Sequence, residues 1–303
     1  MIHIALGARR LTFSPGAAAN SLILTGVAFV TLFPFLYILA VSLSDPAAVT
    51  LREVVLWPVR PTMETYERAL GDPRIWTGFR NSILYASVKV TLSVSLTMMA
   101  AYPLSHRKFR YRGFFMRMIV FTMLFQGGLI PLYLVVRNLG LIDTIWAIVL
   151  PTAIFAFHLI LAKSFVQQLP WELCEAALID GANEMSIFAR VIVPLSKPII
   201  ATLTLYYAVE IWNSYFYPLL FLIDAKKFPL QVYLRELVLG AELAELRLVQ
   251  EGASLDALLL RPLPSPEALK AAILVISTVP ILILYPFLQR YFVKGITLGG
   301  VKG

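Results

Sequence analysis

Six stretches of this chain, near residues 21–43, 81–104, 114–136, 144–166, 198–223 and 267–293, each run for more than twenty residues with few charges. A helix rising about 1.5 Å per residue needs roughly twenty such residues to cross a hydrocarbon layer of about 30 Å. The chain is 59% hydrophobic and 15% charged, against roughly 45–50% and 25% for water-soluble domains. That imbalance excludes a single water-soluble core. The expected fold is an all-α polytopic membrane protein with six transmembrane helices.

The formal charge of +8 does not form one stripe, so a nucleic-acid partner is not expected; the cations act as topology signals facing membrane lipid. Residues Ser105 to Arg117 read SHRKFRYRGFFMR and concentrate Arg107, Lys108, Arg110, Arg112 and Arg117 in one short loop. Positive loops stay inside. With that loop inside, both termini and the 167–198 connection are cytoplasmic, and the long 224–266 connection is periplasmic. The expected division is a cytoplasmic segment 1–20, a permeation domain 21–295 and a cytoplasmic tail 296–303. The first apolar run is too long for a signal-peptide core and is expected to be a retained helix. Within 224–266, LQVYLRELVLGAELAELRLVQ has an imperfect amphipathic helical pattern, and LRPLPSP forms a stiff return to the membrane. Cys174 is the only cysteine, and His3, His106 and His158 show no ligand spacing. No metal site is expected.

Between the fourth and fifth apolar runs lies EAALIDGANEMSIFARVIVPLSKP, residues 175–198. Pro170 can open a helix at Trp171, and Gly181 can end it in a left-handed conformation. Asn183 can cap a second helix, which Pro194 is expected to stop. Ala176 and Ala177 keep one face low, while Glu172, Glu175 and Asp180 charge the segment. Local physics leaves two readings open: an interfacial connector with solvated charges, or a surface on which another protein docks.

Membrane depth also carries polarity. The fifth run holds Tyr206, Tyr207, Glu210, Trp212, Asn213, Tyr215 and Tyr217. An acid within a span is costly and faces a bundle interior or a cavity, so Tyr206, Glu210, Trp212, Asn213, Tyr215 and Tyr217 are candidates for a polar, aromatic pathway. The alternative is that they tie helices together. Lys89 and Lys163 lie near run ends, where their ammonium groups can reach the interface. Gln126, Gly127, Gly128 and Pro131 interrupt the third run, as a hinge or as a close helix-packing site.

The order Glu-Ala-Ala, then Gly six residues after the Glu, then Val193-Pro194, resembles the EAA loop of permease subunits in bacterial ATP-binding-cassette importers. Residues 129–165, FYPLL after Trp212-Asn213, VPILILYPFLQRYFVKG and the terminal GGVKG extend the likeness to carbohydrate permeases related to the maltose importer's second permease. Within that group the chain looks closest to the oligosaccharide branch that includes the alginate importer. The resemblance implies a type I importer transmembrane fold in which Glu175, Ala176, Ala177, Asp180, Gly181 and Pro194 belong to a loop that couples to an ATPase. It implies a companion permease, two ATP-binding-cassette ATPase subunits and an extracytoplasmic solute-binding protein. No G-x-x-x-x-G-K-[ST] occurs in the chain, so ATP and Mg are expected on the ATPase partner, with no cofactor and no catalysis in this subunit. The competing reading, an ion-coupled secondary sugar transporter, commonly carries internal repeats, and this sequence has none.

Overall fold

The computed structural model describes residues 15–106, 108–125, 127–250 and 265–299. Among them every regular element is helical. The basic pair Arg9-Arg10, Arg107, Gln126, residues 251–264 with most of LRPLPSP, and the last four residues lie outside the described set.

The chain forms two compact units, Met1–Glu67 with Leu248–Val275 and Arg68–Arg247 with Ile276–Gly303. In the first, the opening span Pro15–Ser42 leaves Leu22, Phe29 and Val30 exposed along an apolar surface. It then enters a tightly bonded corner. The Asp45 side chain caps Pro46–Thr50 by accepting the Ala47 N–H at 2.7 Å. The Ser44 hydroxyl donates to Ala40 O at 2.6 Å and accepts the Val59 N–H at 3.0 Å. Ala40, Val41, Val49, Val54, Ala268 and Ala271 make the small core beneath it.

The second unit is organised around one long helix, Pro73–Ser105. Asp72 caps it by accepting the Arg74 N–H at 2.9 Å, and Pro73 fills the first turn, where no amide donor is needed. The second span therefore starts eight residues before the apolar run that announced it. The Arg112–Leu124 and Leu129–Asn138 helices meet at 115°, as do Ile145–Thr152 and Ala156–Val166 at 55°. Gly128 at the first bend has φ 84°, a left-handed conformation natural to glycine. The Lys197–Trp212 helix is followed at Asn213–Tyr215 by a short break and then by Phe216–Phe221. Among the described residues, three helices are long and apolar enough to cross a membrane, or up to six if each bent pair is one span.

The second span packs along both the fourth and the fifth. Met98, Ala101 and Leu104 meet Leu159, Ala162 and Val166 from one side and Ile199, Leu203 and Tyr207 from the other. Its far end is tied to the segment after the fifth span. Asn81 donates to Lys226 O and Phe228 O, the Tyr85 hydroxyl to Lys227 O, and the Ser82 hydroxyl accepts the Leu230 N–H at 2.9 Å. Tyr233, in the Leu230–Gln250 helix, donates to the Asp72 carboxylate and lies under the Arg74 guanidinium, 4.6 Å from its ring centre.

Candidate functional site

The connection between the fourth and fifth spans is a helical hairpin. Its first helix covers Glu172–Ile179 and its second begins at Glu184. Gly181 makes the turn at φ 81°, and the Asn183 side chain caps the second helix by accepting the Ser186 N–H at 2.8 Å. The second helix ends one residue past the expected stop at Pro194. The helix widens into a π-helical stretch at Phe188–Ile192, where the Val193 N–H bonds Phe188 O five residues back. That wider turn shifts the hydrogen-bond register just where proline offers no donor. The chain continues to Leu195, then bends by 79° into Lys197–Trp212.

One side of the hairpin is anchored. Cys174, Ile187 and Ile192 are buried in the same core as the second, fourth and fifth spans. The Tyr102 hydroxyl donates to the Glu184 carboxylate at 2.6 Å, Gln167 donates to Ser105 O, and the His106 ring meets Trp171 edge-on at 4.8 Å. Burial pushes the Cys174 thiol above its ordinary pKa, helped by the nearby Glu184 and Glu175 carboxylates. The opposite side is open: Glu175, Ala176, Asp180 and Gly181 are exposed, and Ile179 at the tip is 86% exposed. Ala177 is half-buried against the core, and Pro194 is exposed on the second helix.

The pathway candidates fall on different sides of the fifth span. Tyr206, Glu210 and Asn213 recur at helical spacing on one face. Tyr206 is 44% exposed, Glu210 is half-buried and Asn213 is exposed. Trp212 is buried; its indole N–H donates to Ser277 O at 3.0 Å, and its ring helps line an apolar cavity of about 390 Å³ with Ala86, Thr204, Ala208 and Pro280. Tyr215 is exposed beneath the Arg235 guanidinium. Tyr217 stacks on Phe221, which stacks in turn on Tyr133.

Lys89, expected to reach the interface, is instead fully buried. It sits 16 residues inside its helix, and its ammonium donates to the carbonyl and hydroxyl oxygens of Thr152. The rings of Phe155 and Tyr207 flank it at 5.5 and 5.7 Å, and its charge interacts with Glu210. His158 stacks on Tyr206 of the neighbouring fifth span, centroids 5.1 Å apart and planes 7° from parallel. Its Nδ1, like Oε2 of Glu210, is buried with no hydrogen-bond partner among the described residues.

On the far side of the unit, Asp143 adopts φ 61°. Its carboxylate accepts the N–H groups of Ile223 and Asp224 at 2.9 and 3.1 Å and pairs with Lys227. Those donors hold it at about 2, well below the usual carboxylate value. Asp72 is held at about 2 chiefly by Arg74.

A bundle of broken and unbroken spans, an open hairpin braced against its core and a polar stripe at membrane depth together define a subunit of a membrane transport system. Residues 93–298 match the model of the binding-protein-dependent transport system inner membrane component, and the chain belongs to that family. Protein LplC of Bacillus subtilis is 42% identical, the match covering 94% of each chain. The polygalacturonan/rhamnogalacturonan transport system permease protein YtcP of the same organism is 38% identical, over 91% of this chain and 94% of that one. Among solved structures, a bacterial ABC transporter involved in the import of the acidic polysaccharide alginate contains a chain that superposes with a TM-score of 0.80. The two are 34% identical, and the match covers 94% of this chain and 99% of that one. The chain is thus a permease of an ABC transport system, an inner membrane component.

Proposed function

We propose that this chain is one of two permease subunits that form the membrane passage of a carbohydrate importer, and that its cargo is an oligosaccharide such as an alginate or other uronate oligomer. The relatives that transport polygalacturonan, rhamnogalacturonan and alginate support that substrate class. In this reading ATP and Mg are held by two separate ATPase subunits, a solute-binding protein delivers the sugar from outside, and this subunit itself catalyses nothing. The hairpin and both termini face the cytoplasm.

The observation that carries the reading is the two-sided hairpin. Its buried side shares a core with three spans, and its open tip offers Glu175, Asp180, Gly181 and the apolar Ile179 to a partner. A partner's two-state motion moves membrane helices only through a contact that is itself supported. Tyr206, Glu210 and Asn213, with Tyr215 farther along, present the polar face suited to sugar hydroxyls. Trp212 and Tyr217 support that face from within.

The test is transport by the full complex in proteoliposomes. Glu175→Ala is expected to leave insertion and co-purification with the companion permease intact while separating ATP hydrolysis from uptake. Unchanged uptake per ATP in that variant sinks the hairpin assignment.

A further inference from the structure

The face formed by Tyr206 and His158 has a chemistry that packing leaves unexplained. Tyr206 comes from the fifth span and His158 from the fourth. Their rings lie flat on one another, yet Tyr206 remains 44% exposed and the adjoining Phe157 is 56% exposed. One turn farther along the fifth span stands Glu210, half-buried. Behind this surface the space is filled by Tyr207, whose hydroxyl is 2.8 Å from that of Thr97, and by Lys89 bonded to Thr152.

Two polar atoms on this patch, Nδ1 of His158 and Oε2 of Glu210, are buried and unpaired among the described residues. Buried polar atoms without partners are costly to keep from water. A polar ligand settling on this patch would supply the partners they lack. Charge alone would suit water, but the exposed Tyr206 ring, backed by the half-buried His158, adds a flat apolar surface to this patch. A pyranose ring has the complementary construction, with C–H groups on its faces and hydroxyls around its edge.

We propose that Tyr206, His158 and Glu210 form a sugar subsite at membrane depth. One pyranose ring of the oligosaccharide rests on the uncovered face of the Tyr206–His158 pair, and Glu210 accepts a hydroxyl from its edge. Lys89 lies behind the subsite, its ammonium occupied by Thr152. The subsite rests on the oligosaccharide-importer reading above and adds to it the atoms that touch the cargo. His158 was not among the pathway candidates read from the sequence.

The experiment uses the complete complex, with companion permease, ATPase and binding protein, in proteoliposomes, with trigalacturonate and maltotriose as probes. Wild-type uptake comes first: if neither probe nor any longer oligosaccharide of either kind is imported, the proposed function fails before any variant is made. With an imported probe, Tyr206→Ala and His158→Ala are expected to raise the KM for uptake about three- to tenfold, the range of one aromatic contact. Saturating ATP turnover should not change. Tyr206→Phe, which keeps the ring and loses only the hydroxyl, is expected within twofold of wild type. Wild-type KM in Tyr206→Ala overturns the subsite. So does loss of the companion permease on co-purification of that variant, which would make the patch a subunit contact.

Discussion

Replacing Lys89 with methionine isolates what one buried cation does for this bundle. The substitution keeps most of the stem's length but removes an ammonium that is fully enclosed, donates to both oxygens of Thr152 and is flanked by Phe155 and Tyr207. Hydrogen bonds from a charged donor contribute about 1.5–3 kcal/mol each. The nearby opposite charge is Glu210, which forms no ion pair with the ammonium among the described residues and whose Oε2 lacks a hydrogen bond. Lys89→Met is therefore expected to lower the midpoint of thermal unfolding of the purified, detergent-solubilised complex by on the order of 10 °C. Glu210→Gln removes that opposite charge, so the double variant should recover about 1–3 kcal/mol of the summed losses. Fluorescence-detected size-exclusion melts of the four proteins give the cycle directly. Additive losses, within about 0.5 kcal/mol, would refute the claim that the two charges act together.

Three further outcomes follow from separate parts of the chain. Gly78→Ala would put a Cβ 3.0 Å from Cα and 3.1 Å from N of Leu230, backbone atoms that cannot swing aside; a loss of about 1–3 kcal/mol is expected, read as a lower melting midpoint. Cys174, free and buried with its thiol held protonated, is expected to resist maleimide labelling in intact membranes and to label fully after denaturation. Asp143 has a folded pKa near 2 against 3.8 for the unconstrained acid. Its stabilisation is complete above about pH 4 and is lost as pH falls toward 2. Melting midpoints measured across that window should fall more steeply for the wild type than for Asp143→Asn.

The parts legible in the sequence are those fixed locally. Gly181, Asn183 and the acidic first turn of the hairpin specify a turn and a cap whatever lies around them. Gly127 and Gly128 mark a break in the third run because glycine and lost helix continuity are properties of the chain itself. Lys89 was hidden by a boundary effect. Arg74 and Arg80 make residues 73–80 resemble a loop, which places Lys89 near a span end, whereas the Asp72 cap and Pro73 begin the helix earlier and carry Lys89 inward. The backbone adjustment before Pro194 was hidden, since composition does not announce a π-helical turn. The division of the fifth-span aromatics was hidden because it depends on neighbours. Only Ser277 behind Trp212 and His158 above Tyr206 decide which ring is structural and which is presented.

The second span runs without a break for 33 residues, or about 50 Å. Its neighbours bend at Leu124–Leu129, at Thr152–Ala156 and at Leu195–Lys197. A frame with one stiff column and several elbows has few ways to deform. The column is pinned at its foot to the hairpin by Tyr102 and Ser105, and at its head to residues 226–230 by Asn81, Ser82 and Tyr85. Tilting the foot swings the head by the same angle. A displacement delivered at the hairpin therefore reaches residues 226–230 as one movement of the column, and the elbows are where the neighbouring spans can yield to it.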